Sequence, residues 1–396
     1  MPPHLADPGD PVGSDQQHER GQVTQRPAAE LLEMARSVSP VFSGSRLVAM
    51  RELLGRTQGD VAAATGISPS ALSQAERGDT TLSAANIVRV ASFLEVPPAA
   101  FVEQPEPQVA LIPQFRHLRR TPKREQRQAK QLVYATAQVA QVLQQSVQFP
   151  EPFECDEAVD PDLPIEEAKK KVERAAAQAR EALDVPPDDP IGDDVMGLLE
   201  AGGITVVRDP DTGEDIDAYS AIVDDLPIIV LYGGDDCVWD RDNYNLAHEL
   251  GHLVMHRGTQ RDPGTRTVEA QAHRFAGAFL GPKKAIRSQL PTDLDWGRYL
   301  QLKRTWGLSM AALVRRAKDL NVIDDATYTR AMKQRSSYGW RFKEPGSKDR
   351  AVPEPQYLKL AASLSGMSAE QLADRTYLPT RVVERIIGKP LPSLVA

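Results

Sequence analysis

Two histidines four residues apart, His248 and His252, flank Glu249 in an H-E-x-x-H pattern within residues 247–256. At 3.6 residues per turn the two imidazoles lie one above the other on a helix, so both can reach one metal ion. Glu249 then points beside them, where a carboxylate can polarise a water at the metal. Leu246, Leu250, Leu253 and Val254 cluster away from the histidines and form a packing stripe. The expectation is one helix with a wet metal face and a dry packing face. The plainer alternative is a surface helix with satisfied histidines, and the amphipathic frame counts against it.

Two histidines do not complete a catalytic metal site, which usually has three protein ligands and one open position. His256 lies on nearly the same face, but eight helical residues span about 12 Å. Metal–nitrogen bonds of about 2 Å cannot bridge that span, so the third ligand comes from elsewhere. Residues 268–276 read as the next helix, and Glu269 opens it. Glu269 is the expected third ligand. His273, one turn along on the same face, is the competing choice. Tyr244, His256, Arg266 and His273 stand as unranked candidates for contacting substrate or an oxyanion, and a supporting role is the commoner fate of a residue such as His256. Cys237 reads as a small buried hydrophobe.

The elements that must position these groups read as an α+β unit over residues 166–345. Two helices precede the site, at residues 166–183 and 191–201. Residues 204–208, 218–223 and 227–231 alternate or run apolar and predict three strands. Helices are expected at 294–302, 309–320 and 325–335, with Ser309 and Asp325 as N-caps. On the residues 248–256, 269–276 and 280–282, supported by 217–220 and 302–309, the chain resembles the ImmA/IrrE family of zinc metallopeptidases. The resemblance implies a gluzincin-like site with His248, His252 and Glu269 on zinc and Glu249 as general base. It implies metal-assisted amide hydrolysis in which Glu249 takes a proton from water and passes it to the leaving nitrogen. Zinc is the expected cofactor, with manganese left open. His273 departs from the family, which usually has Asn there.

Ahead of this unit, residues 44–102 carry four helical segments joined by tight turns. Thr57 caps one, Gly66 turns the chain, Ser68 and Pro69 open the next, and Gly78 ends it. On Arg51, Thr57, Gln58, Ala62, Gly66, Ile67, Ser68, Leu72, Ser73, Glu76, Arg77 and Gly78, and on the apolar Ile87, Val90, Ala91 and Leu94, the segment resembles the Cro/C1-type (XRE) helix-turn-helix repressor domains. The resemblance implies a third helix in the major groove, with Ser70, Ser73 and Gln74 facing bases and Gln58, Ser68 and Arg77 among the DNA contacts. Arg77 is the only cation of that helix. A helical interaction module that no longer binds DNA is the alternative.

The 396-residue chain has a net charge of -8, which confines any nucleic-acid affinity to local patches. One such patch runs over residues 115–130, with Arg116, Arg119, Arg120, Lys123, Arg124, Arg127 and Lys130 against Glu125. Two cysteines far apart, no apolar run of membrane length and no signal pattern lead to a soluble cytoplasmic expectation. The expected organisation is multidomain: a disordered tail at 1–43, an all-α helix-turn-helix domain at 44–102, and a basic helical connector and linker at 103–165. An α+β zincin-like peptidase domain at 166–345 and a C-terminal helical segment at 346–396 complete it. In that last segment Ser368, Leu372, Ala373, Thr376, Leu378 and Val383 echo Thr57, Val61, Ala62, Thr65, Ile67 and Leu72 at one constant offset. It is either a second helix-turn-helix-like unit or a helical hairpin on the peptidase. The functional expectation is a DNA-binding transcriptional regulator with a zinc endopeptidase that cleaves a repressor or itself, in a prophage, mobile-element or stress circuit. Its partners would be double-stranded DNA and a protein substrate, no membrane, with a homodimer left open. A non-catalytic zinc-containing transcription factor and one half of a toxin–antitoxin pair are the competing readings.

Overall fold

The computed structural model describes residues 27–105, 107–111, 122–155, 157–192, 194–211, 216–257, 265–341 and 343–388. Most of the expected N-terminal tail, and Arg116, Arg119 and Arg120 of the basic run, lie outside the described residues. The chain is multidomain: a helical N-terminal region, a helix-and-sheet domain, and a helical C-terminus.

The N-terminal region comprises α1 (Ala28–Val38), α2 (Gly44–Leu53), α3 (Gln58–Thr65), α4 (Pro69–Glu76) and α5 (Ala84–Leu94). Thr57 and Asp60 form a reciprocal capping box at α3. Gly66 then takes a left-handed turn at φ 69°, and the Ser68 hydroxyl caps α4. The α3–α4 angle is held by buried Val61, Ile67 and Leu72, and the bidentate pair of Arg51 with Glu76 at 2.6 and 2.9 Å ties α4 to α2.

A four-stranded sheet of order β1-β3-β4-β2 divides the molecule, with β1 (Val109–Leu111), β2 (Thr205–Asp209), β3 (Ala218–Val223) and β4 (Leu226–Tyr232). Only β2 and β4 run parallel. The β1 strand belongs to the segment expected to be connector. It is three residues long, so it carries no alternation of its own and exists by pairing with the edge of β3. The β3–β4 hairpin turns on Asp224 and Asp225, both at positive φ as the tight hairpin turn demands. The Asp224 carboxylate accepts from the Gln108 N–H and the Gln141 amide, tying β1 and α6 (Lys123–Gln144) to that turn.

The two faces of the sheet serve two cores. Val207, Tyr219, Ala221, Val223, Ile228 and Val230 join α6, the N-terminal helices and the C-terminal helices. Val206, Ile222, Ile229 and Leu231 face the other way, against α7 (Ile165–Ala182), α8 (Val195–Ala201), α9 (Trp239–Met255) and α10 (Arg266–Leu280). That second core also takes α11 (Lys283–Ile286), α12 (Trp296–Trp306), α13 (Met310–Asp319) and α14 (Asp325–Ser337). Ser309 caps α13, whereas α14 is capped by Asp324 rather than Asp325, one residue earlier than expected. Buried Lys303 fastens α12 to the start of α9 through Asp240 at 2.9 Å and Ser347 at 2.7 Å.

The C-terminal helices are α15 (Tyr357–Ser365), α16 (Ala369–Thr376) and α17 (Thr380–Ile387). The offset that carries Thr57 onto Ser368 carries the whole of α3 onto α16 and the whole of α4 onto α17. The details repeat as well. Ser368 and Gln371 form a second capping box, and Tyr377 takes the left-handed turn of Gly66 at φ 56°. Thr376 bonds the Leu372 carbonyl as Thr65 bonds that of Val61, both at 2.7 Å. Locally this is a second helix-turn-helix-like unit, and it also packs on α6 and β2.

Candidate metal centre

The site lies where α9 crosses α10. Gly251 lets the two helices close: a Cβ there would stand 3.0 Å from the Phe275 ring. On α9, His248 Nε2 and His252 Nε2 are 3.2 Å apart. From α10, the Glu269 carboxylate comes to 3.4 Å from His248 Nε2 and 3.6 Å from His252 Nε2. Ligand atoms about 2.0–2.1 Å from one tetrahedral ion stand roughly 3.3–3.4 Å from each other. The separations are of this size, with His248 facing one Glu269 oxygen and His252 the other.

Glu249 also keeps a carboxylate oxygen within 4.8 Å of the two histidine donors. Two acids thus approach the same place. The Ser220 hydroxyl, on β3, donates to Glu249 Oε2 at 2.7 Å and holds that carboxylate toward the sheet. Glu249 and Glu269 are thus the two carboxylates that could complete a donor set with the histidines, Glu269 meeting His248 with one oxygen and His252 with the other.

The imidazoles are oriented by a chain of hydrogen bonds that leads away from the site. The Gln271 amide nitrogen donates to the carbonyls of Asp160 at 3.0 Å and Leu163 at 2.8 Å. Its oxygen therefore faces His256 Nε2 at 2.9 Å, and that nitrogen must carry the proton. Burial keeps His256 neutral, its pKa lowered even against the Gln271 bond, so His256 Nδ1 is an acceptor. It lies 3.1 Å from His252 Nδ1, which must then be N–H. The His252 Nε2 is left with its lone pair toward the metal position. Burial also drives the His252 pKa well down. A neutral imidazole with its lone pair directed inward is what a metal ligand requires.

The remaining candidates take different places. His256 is not at the donor cluster but behind His252. The Tyr244 hydroxyl meets His273 Nδ1 at 3.0 Å, and the His273 ring lies 4.5 Å from that of His248, so these two flank the site without joining the donors. Arg266 opens α10, three residues before Glu269. The face expected to be wet is enclosed: Glu249 is 4% and His252 1% exposed. Cys237 is half-buried and donates to the Tyr232 carbonyl, and burial raises its thiol pKa. Ser220 and Gln271 were not singled out by sequence reasoning. Ser220 could have been, as a polar residue in an otherwise apolar strand; no spacing rule marks Gln271.

On the helix-turn-helix unit, Ser70, Gln74 and Arg77 are exposed along α4. Arg77 donates to Ser73 at 2.6 Å and pairs with Asp79. Gln58 is turned inward to Glu76 at 3.0 Å, and the Ser68 hydroxyl is engaged as the α4 cap.

Comparison with known proteins agrees with this division. Residues 47–101 match the helix-turn-helix family, and residues 199–318 match the family described as the IrrE N-terminal-like domain. No curated protein matches the chain. Among the described residues no helix is long and apolar enough to cross a membrane. The chain thus joins an XRE-type helix-turn-helix domain at residues 47–101 to an IrrE/ImmA-like domain at residues 199–318.

Proposed function

We propose that this chain is a DNA-binding transcriptional regulator with a zinc-dependent endopeptidase site, acting on a repressor or on itself. The observation that carries the reading is the meeting of His248, His252 and Glu269 at tetrahedral-edge distances, with Glu249 alongside. When bound, the zinc would act as a Lewis acid and lower the pKa of a water. Manganese is the alternative ion. The chain's own residues do the rest. Glu249, held by Ser220, takes the proton of the attacking water and returns it to the departing nitrogen. Tyr244 and His273, whose contact with each other lies beside His248, are the residues we assign to the polarised carbonyl of the substrate. On the DNA side Ser70, Ser73, Gln74 and Arg77 present from α4, and Gln58 and Ser68 stand at helix starts. A homodimer on a two-fold operator fits such a domain.

The test is incubation of zinc-loaded protein with a repressor encoded beside it, and alone, followed by mass spectrometry of the products. Wild type should cut one of the two, and Glu249→Gln should cut roughly a hundred- to ten-thousand-fold more slowly while retaining metal. Absence of metal-dependent cleavage of either would overturn the reading. The enclosure of Glu249 and His252 supports a second reading, in which the metal domain senses or stabilises without catalysis. That reading requires Glu249→Gln to regulate its operator as wild type does.

A further inference from the structure

A cavity of about 900 Å³ opens where the end of α2, the start of α6, the turn after β2 and the outer face of α17 meet. Five arginines line it: Arg56, Arg124, Arg208, Arg381 and Arg385. Two acids, Asp211 and Glu384, line it as well. Three of the arginines are matched by carboxylates: Arg208 by Asp242, Arg381 by Glu95, and Arg385 by Asp209 and Asp211. Among the described residues, Arg56 and Arg124 meet no carboxylate at ion-pair distance; Arg56 instead lies over the Phe93 ring at 5.8 Å. Carboxylates balance the cavity's arginines in number, so its capacity for an anion rests on Arg56 and Arg124, which line it together.

The internal repeat gives the cavity a second meaning. The offset that carries α4 onto α17 carries Ser70, Ser73, Gln74 and Arg77 onto Arg381, Glu384, Arg385 and Gly388. All four of those positions line the cavity. The face that would read DNA on the N-terminal unit here forms one wall of the cavity. On this face Arg385 is held to Asp209 at 2.7 Å. A space of this size suits a small molecule rather than a duplex.

We propose that the cavity binds a phosphate-bearing small molecule of about mononucleotide size, gripped by Arg56 and Arg124, with the exposed Arg381 of α17 on the cavity wall beside them. Guanidinium groups bind phosphate oxygens in pairs, which suits an arginine-walled cleft. Because α2 and α17 belong to different units, the bound anion would bridge the DNA-binding region to the rest of the chain.

The experiment uses the full chain, calorimetric titration and thermal melting, with inorganic pyrophosphate and ATP as probes. Arg56→Gln and Arg124→Gln change exposed side chains that form no ion pair, so the fold should survive. Arg330→Gln, exposed on α14, is the reference. Wild type and Arg330→Gln should bind a probe and melt at higher temperature with it. Each cavity variant should bind about tenfold more weakly. No heat and no melting shift with either probe at millimolar concentration would overturn the proposal. So would equal affinity in the double variant, or a response to a short DNA duplex and to neither small anion.

Discussion

At the scale of single residues, the proposed metal donors carry a sequence signal while the residues that support them do not. His248 and His252 were legible because a helix turns their spacing into one face. Glu269 was legible because small residues around it imply close helix packing. Ser220 and Gln271 reach the site only through tertiary contacts, from β3 and from the far face of α10, so no local spacing could mark them. The hydrogen-bond chain from Gln271 makes a sharp prediction. Replacing Gln271 with Leu removes the acceptor that fixes the proton on His256, and with it the constraint on the His252 tautomer. Metal affinity should fall about 10- to 100-fold, read by competition with a chromophoric chelator. An unchanged affinity would mean that His252 is oriented by packing alone.

At the scale of elements, the chain was readable wherever an element carries its own period or cap. The helices of the N-terminal unit and the three longer strands stand close to where their residues predicted them. The short β1 strand was not, because its ordering comes from β3. The α14 cap was displaced because two consecutive aspartates offer the same chemistry and the backbone chose the first. Buried charge pairing across helices was equally silent. Glu173 on α7 accepts from Arg316 on α13 at 2.7 and 2.8 Å and from Arg274 on α10 at 2.7 Å. Burial pushes its carboxyl upward, but the two guanidinium groups outweigh it and the pKa is lowered from 4.5. The unfolded chain therefore binds this proton more tightly than the folded one. The resulting stabilisation is full above about pH 4.5 and is lost as pH falls through the depressed folded value. Glu173→Gln leaves the fully buried Arg316 without its charge partner and should cost about 3–5 kcal/mol. Denaturant unfolding at pH 7 and pH 3.5 checks both points. The variant's loss should shrink at the lower pH, and a constant loss would place the effect in packing instead.

At the scale of the whole molecule, the sheet is a shared wall, and that arrangement predicts how the chain fails. One face carries the core of the metal site, and the other carries α6 with both helix-turn-helix-like units against it. The C-terminal unit therefore closes a core rather than hanging from it. Leu132, Val133, Val139 and Val207 are buried in the same cluster as Leu358, Leu372, Val383 and Ile387. Glu200 on α8 accepts the backbone N–H groups of Gln356 and Tyr357 at the start of α15. Asp209, 2% exposed at its side chain, pairs with Arg385. Ending the chain after residue 348 would expose several side chains on α6 and β2. Each buried aliphatic side chain contributes about 1.5–3 kcal/mol, against a total stability of about 5–15 kcal/mol for a typical domain. The truncated protein should bind a hydrophobic dye, lose its cooperative melt and bind zinc weakly, although every proposed metal donor remains in it. A cooperative melt at the full-length temperature would show that the C-terminal unit is an appendage. The cavity-lining arginines of α17 would then need another explanation.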